Sequence, residues 1–263
     1  YGFIAFREKH YQEALTAFQV VENEVEFKDV VPYYIATIYY LTGQKDKALT
    51  YAEERIQRGN GYYDLEMRKL VGHGLFEKGD YKKALPALEA YAVKNSPLSR
   101  ADLYELSYAY YQGNQMTKAI EGFKQLSGKE DSLSQSAMYL LGDAYLKTGQ
   151  KTNARNAFLF CASNSSDKKQ QEVSRFQYAR LSYELDYQDE ALNSLRSFLK
   201  DYPNSTYDTQ AKDLLVAVLT NTNNYREALS LLDGMSNPTP NAKRLYPRIL
   251  YGRATELVND GRM

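Results

Sequence analysis

The sequence predicts an all-α chain, a solenoid of tandem helical hairpins, and three observations carry that prediction. A small-residue landmark recurs seven times at nearly constant spacing, other apolar positions keep step with it, and glycines fall where each hairpin would turn. The landmarks are Ala14 (in YQEAL), Ala48 (KDKAL), Ala84 (YKKAL), Ala119 (MTKAI), Ala154 (KTNAR), Ala191 (QDEAL) and Ala228 (YREAL), separated by 34, 36, 35, 35, 37 and 37 residues. Self-similarity at such a period marks a repeat architecture.

The first helix of each unit is marked by a small residue twelve positions before the alanine: Gly2, Ala36, Gly72, Ser107, Gly142 and Ala179, with Val216 as the exception. Nine positions before it stand Tyr39, Leu75, Tyr110, Tyr145 and Leu219. The turn follows, with Gly43, Gly79 and Gly149 five positions before their alanines. The second helix carries the alanine and, four residues later, Phe18, Leu88, Phe123, Phe158, Leu195 or Leu232, with Ala52 as the exception. Apolar residues three and four apart, as in LLGDAYL (140–146) and ARNAFLFCA (154–162), lie on one helix face. Small residues let the two helices of a hairpin approach where they cross, and the bulky ones fill the space beside them. A single hairpin cannot bury its apolar faces alone, so the units must stack.

Proline placement follows the same frame. Pro32 and Pro247 are expected in first turns of first helices, where a missing N–H costs little, and Pro97, Pro203, Pro238 and Pro240 between units. Pro86, two residues after Ala84, predicts either a kink or a second helix that begins late.

A unit of about 34 residues with large–x2–Leu–Gly–x2–Tyr, then Ala–x3–Phe, then Pro resembles the tetratricopeptide repeat (TPR). LLGDAYLKTGQKTNARNAFLF (140–160) and EALNSLRSFLKDYPNS (190–205) are its clearest copies, although the Trp of the family's first helix is absent throughout. The expected organisation is one array over 1–263: repeats at 1–27, 28–62, 63–97, 98–132, 133–169, 170–206 and 207–240, then the first helix of an eighth at 241–263. Tyr1 and Gly2 match the middle of a first helix and neither end shows a polar cap, so the chain is read as a piece of a longer array.

The resemblance implies a right-handed α-α superhelix whose concave surface, lined by first helices, binds peptide segments of partner proteins. Carried over residue by residue, that surface comprises Tyr33, Thr37 and Tyr40 in the second unit, Lys69, His73 and Phe76 in the third, and Tyr104, Tyr108 and Tyr111 in the fourth. The fifth supplies Tyr139, Asp143 and Leu146, and the sixth Phe176, Arg180 and Tyr183. More than half are Tyr or Phe, against 13% aromatic residues in the chain, and tyrosine combines a large contact area with a hydroxyl for hydrogen bonding. Exposure in a groove is one reading of these tyrosines; packing between neighbouring first helices is the other. With groove exposure, Tyr108→Ala would weaken partner capture at little cost in stability. The family's carboxylate clamp, which uses Asn and Lys or Arg at inner positions, is not supported by Thr37, His73, Tyr108, Asp143 and Arg180.

Composition narrows the function classes. Of 263 residues, 33 are Lys or Arg and 33 Asp or Glu, so the electrostatic footprint of general nucleic-acid binding is missing. A single cysteine excludes a disulfide framework and a cysteine-based zinc or iron–sulfur site. His10 and His73 lie on different units without metal-ligand spacing; His10, at a hairpin turn, should be exposed, and Cys161 should pack as a small hydrophobe. No catalytic, cofactor or metal-binding residue is therefore expected. The longest uncharged stretch, 30–44, is too short for a bilayer helix of roughly 20 residues.

The expected function is a non-enzymatic scaffold for a protein or peptide partner. The alternative is a structural spacer or oligomerisation arm that self-associates through its end repeats. The segment SFLKDYPNSTYDTQAKDLL (197–215) resembles repeats of bacterial envelope lipoproteins, so the periplasm or cell envelope is slightly favoured over the cytoplasm.

Overall fold

The structure is a computed structural model that describes residues 1–261; residues 262 and 263, the end of the predicted eighth-unit helix, lie outside the described residues. Among the described residues there are fifteen α-helices and no strand. They run in tandem as α1 (Gly2–Arg7) and α2 (Tyr11–Val21), α3 (Val31–Leu41) and α4 (Lys45–Arg58), α5 (Asp64–Glu77) and α6 (Tyr81–Lys94), α7 (Arg100–Gln112) and α8 (Met116–Lys124). There follow α9 (Ser132–Lys147) and α10 (Lys151–Ser163), α11 (Lys168–Glu184) and α12 (Gln188–Asp201), α13 (Asp208–Asn221) and α14 (Tyr225–Asp233), then α15 (Pro240–Asn259). The chain forms two compact units, Tyr1–Phe123 and the residues from Lys124 onward.

In both units the landmarks form the core. All seven alanines are fully buried. The residues four positions later, from Phe18 to Leu232, are buried as well, and so are the small residues of the first helices. The glycines show why small size is needed. A Cβ added to Gly142 would stand 2.8 Å from the Phe158 ring, one on Gly2 2.9 Å from Phe18, and one on Gly72 2.7 Å from Leu88. In each case the bulky side chain of the second helix lies directly on the backbone of the first, which only glycine permits.

The turns are also one device used seven times. Five positions before each alanine the backbone is left-handed: at Gly43, Gly79 and Gly149, and equally at Lys9, Asn114, Asp186 and Asn223. In the fifth hairpin, Gly149 N–H donates to the Leu146 carbonyl at 3.0 Å and Gln150 N–H to the Tyr145 carbonyl at 2.8 Å. This 5→2 and 6→1 pair satisfies carbonyls that the helix end leaves open, and the pattern recurs in every hairpin. Asn and Asp tolerate the left-handed region; lysine gains nothing there. Lys9→Gly is therefore expected to raise stability by about 0.5–1 kcal/mol. Urea melts followed by circular dichroism check this, and an unchanged or lower midpoint contradicts it.

Several first helices open on side-chain caps: Ser99 accepts from Asp102 N–H at 3.2 Å, Asp131 from Ser134 N–H at 2.8 Å and Asp167 from Gln170 N–H at 2.9 Å. At Pro86 one of the two alternatives falls, and the expectation at Pro247 is corrected. The α6 helix begins at Tyr81 and runs through Pro86 to Lys94, so it does not start late. Pro86 is exposed, so the carbonyl it leaves without a helical donor belongs to a solvent-facing stretch of the helix. Pro247 likewise lies inside α15 rather than in its first turn. Thr239 caps that helix by accepting from Ala242 N–H at 3.3 Å, and Pro240 takes its opening position.

Candidate protein-binding surface

The fifteen residues carried over to this surface divide sharply by environment. Phe176 is buried, 1% exposed, with its ring stacked on Tyr207 at 4.5 Å and 5.7 Å from Phe198. It is a core residue of the second unit, and its place in the surface set is withdrawn. The other fourteen are half-buried.

In the first unit the structure brings the candidates together. Phe76, Tyr81, Tyr104 and Tyr111 surround Tyr108, with centroids 5.5, 5.0, 6.0 and 6.2 Å from its own. Burial pushes the Tyr104 hydroxyl up to about 12. The packing alternative thus holds for this cluster. Tyr108→Ala would remove four ring contacts, each worth about 0.5–1.5 kcal/mol, so its effect on stability cannot be small as the sequence suggested. Tyr33 packs against Tyr63 at 4.8 Å.

A polar ladder runs beside these rings. The Tyr40 hydroxyl donates to Glu77, which also receives Lys45 Nζ at 2.7 Å. The ammonium of Lys45, with the Tyr40 hydroxyl, holds the Glu77 carboxyl below the usual carboxylate range. His73 Nδ1 lies 2.7 Å from Glu105 Oε1, and its Nε2 3.7 Å from Glu77 Oε1. Lys69 Nζ donates to Asp102 Oδ2 at 2.8 Å. Burial disfavours the lysine's charge, but the bond to Asp102 outweighs it and the Lys69 pKa rises.

In the second unit the candidates remain apart. Tyr139 meets Phe158 of its own hairpin at 6.1 Å, Asp143 pairs with Lys147 at 2.8 Å, and Tyr183 packs on the core. Arg180 lies 3.6 Å from Glu184, which also takes Lys151 at 2.8 Å.

The expectation of an exposed His10 and a buried Cys161 matches the structure, with burial pushing the thiol up to about 11. The polar partners were not anticipated, although a signal existed. Lys69 and Asp102, His73 and Glu105, Arg55 and Glu22 lie 33, 32 and 33 residues apart, close to one repeat. Opposite charges one period apart on stacked helices become neighbours. Gln135, fully buried, was missed altogether: its Nε2 donates to the Asn164 and Asp167 carbonyls, both at 2.9 Å, and its Oε1 accepts from Asp167 N–H at 2.6 Å.

Among the described residues, no helix is long and apolar enough to cross a membrane, and no group of three His, Cys, Asp or Glu side chains could hold a metal ion. The sequence profile of the YfiO family, described as outer membrane lipoprotein, matches residues 71–230, more than half of the chain. The chain belongs to the YfiO family. Its likeness to solved structures is one of fold. The C-terminal part of a TPR repeat-containing protein from Cytophaga hutchinsonii is 17% identical with a TM-score of 0.55, over 96% of this chain and 98% of that one. MamA AMB-1 is 17% identical with a TM-score of 0.50, over 62% of this chain and 94% of that one. Both place this YfiO-family chain in the TPR fold. No curated protein sequence matches it.

Proposed function

We propose that the chain is a non-enzymatic scaffold of the cell envelope that binds a protein or peptide along the surface of its first helices. The observation that carries this reading is the ladder of α3, α5 and α7. Rings from Tyr40 to Tyr111 are half-buried and pack on one another, and beside them hydroxyl, carboxylate and ammonium groups pair along a partly exposed surface. Such a surface offers apolar area together with directional hydrogen bonds at little entropic cost, because its side chains already hold one another in place. Membership of an outer membrane lipoprotein family supports the envelope location.

Tyr108→Ala cannot separate binding from folding, so the test uses charge. The intact protein serves as bait in envelope extract, alongside Lys69→Glu and, as control, Lys82→Glu on the exposed side of α6. Lys69→Glu sets a carboxylate against Asp102 and is expected to reduce capture of the specific partner about tenfold, roughly 1.4 kcal/mol, while Lys82→Glu captures it as the wild type does. Equal capture by all three baits overturns the surface.

The second reading, an oligomerisation arm, has its own observation. The α15 helix exposes Tyr246, Leu250, Tyr251 and Val258 along its length. A bait that brings down copies of itself and nothing else would favour it.

A further inference from the structure

His73 is unlike any other side chain in the first unit, because both of its ring nitrogens face carboxylates. Nδ1 is 2.7 Å from Glu105 of α7 and Nε2 is 3.7 Å from Glu77 of its own helix. A neutral imidazole has one N–H and one bare nitrogen, so one of the two carboxylates would then look at a lone pair. Only the imidazolium both donates to Glu105 and attracts Glu77 by charge. Its neighbours connect the surrounding helices: Glu77 also accepts from Tyr40 of α3 and from Lys45 of α4, and the Tyr40 ring lies 5.9 Å from the imidazole.

We propose that His73 is a proton-operated clamp, holding α5 to α7 tightly when charged and loosening its grip on Glu105 when neutral, when Nδ1–H can still donate but the charge attraction to both carboxylates is lost. The regulation falls on the surface assigned above and rests on that reading. Loosening slackens the joint between the third and fourth repeats beside the Tyr108 ring cluster, so the binding surface is best ordered at low pH.

The charges around the ring are consistent with this. Glu105 comes from α7 and Glu77 from α5, Tyr40 from α3, and Lys45 at the start of α4 opposes the proton. Of the charges of α6, Lys83 pairs with Asp80 at 2.8 Å, Glu89 accepts from Tyr110 and Lys118 at 2.8 and 3.0 Å, and Lys82 and Lys94 are exposed. Asp102 of α7 is held by Lys69. The bond to Glu105 outweighs the cost of half-burial, and the His73 pKa is raised. A raised folded pKa means that the clamp's stabilisation is complete below the unfolded value of about 6.5 and disappears as pH rises through the folded value.

The chain has two histidines, so proton NMR resolves His73 from His10 directly. The His73 midpoint is expected above about 6.5 in the wild type and lower in Glu105→Gln, which keeps the shape but removes the charge. The thermal midpoint of the wild type should fall between pH 6 and 8.5 by more than that of His73→Gln. Capture of the specific partner should weaken several-fold over the same interval in the wild type alone. A His73 midpoint unmoved by Glu105→Gln, or parallel melting curves for wild type and His73→Gln, overturns the clamp. An intact titration with no pH effect on capture retains the clamp and removes the binding surface from it.

Discussion

Phe158→Ala is expected to lower the stability of the second unit by about 3–5 kcal/mol, the cost of emptying a fully packed phenylalanine site. Phe158 is 2% exposed and its ring covers Gly142. The informative result is the response of the glycine. On its own, Gly142→Ala drives a Cβ to 2.8 Å from two atoms of the ring and 2.9 Å from a third, and should cost about 1–3 kcal/mol. In the Phe158→Ala background that obstruction is gone. Alanine is then the better helix former by about 1 kcal/mol, so the same substitution should become neutral or stabilising. Urea denaturation of the wild type, both single variants and the double variant gives the coupling energy. Additive effects would mean that the ring and the glycine do not share a space, and the reading of the small landmark would fail with them.

The second large effect belongs to Gln135. Gln135→Met keeps the length and volume of the side chain but leaves the Asp167 N–H and the Asn164 and Asp167 carbonyls without their amide partner. Orphaned buried backbone groups cost about 1–3 kcal/mol each, so the loss should exceed that of any surface change in this unit. Hydrogen exchange would locate it: Asp167 and the first turn of α11 should lose protection before α9 does. Protection unchanged at Asp167 would show that the connection holds itself.

Much of the fold was legible because packing by small residues is written in residue identity. Ala14 through Ala228 are fully buried at those crossings, and Gly2, Gly72 and Gly142 lie under a bulky side chain. The turns were half legible. Gly43, Gly79 and Gly149 announce a left-handed residue, whereas Lys9 and Asp186 hold the same backbone with side chains that occur anywhere. The candidate surface was least legible. Phe176 and Tyr104 occupy equivalent stations in the repeat, yet one stacks on Tyr207 within the core and the other is a half-buried ring beside Tyr108. That difference is set by which ring the following unit supplies, not by the residue itself. The polar ladder was hidden for a related reason: each half of a pair such as His73 and Glu105 looks like an ordinary helix-surface residue until the helices stack.

Gln135 has one more consequence. It grips the connection between α10 and α11 through backbone groups alone, so the side chains it grips are not inspected. Asn164 and Asp167 use their side chains as well, on Asp131 and at the cap of α11, so identity is freest to drift at the exposed Ser165. One insertion would move the Asp167 N–H out of reach of the amide, so length is what Gln135 itself requires of inheritance at this joint.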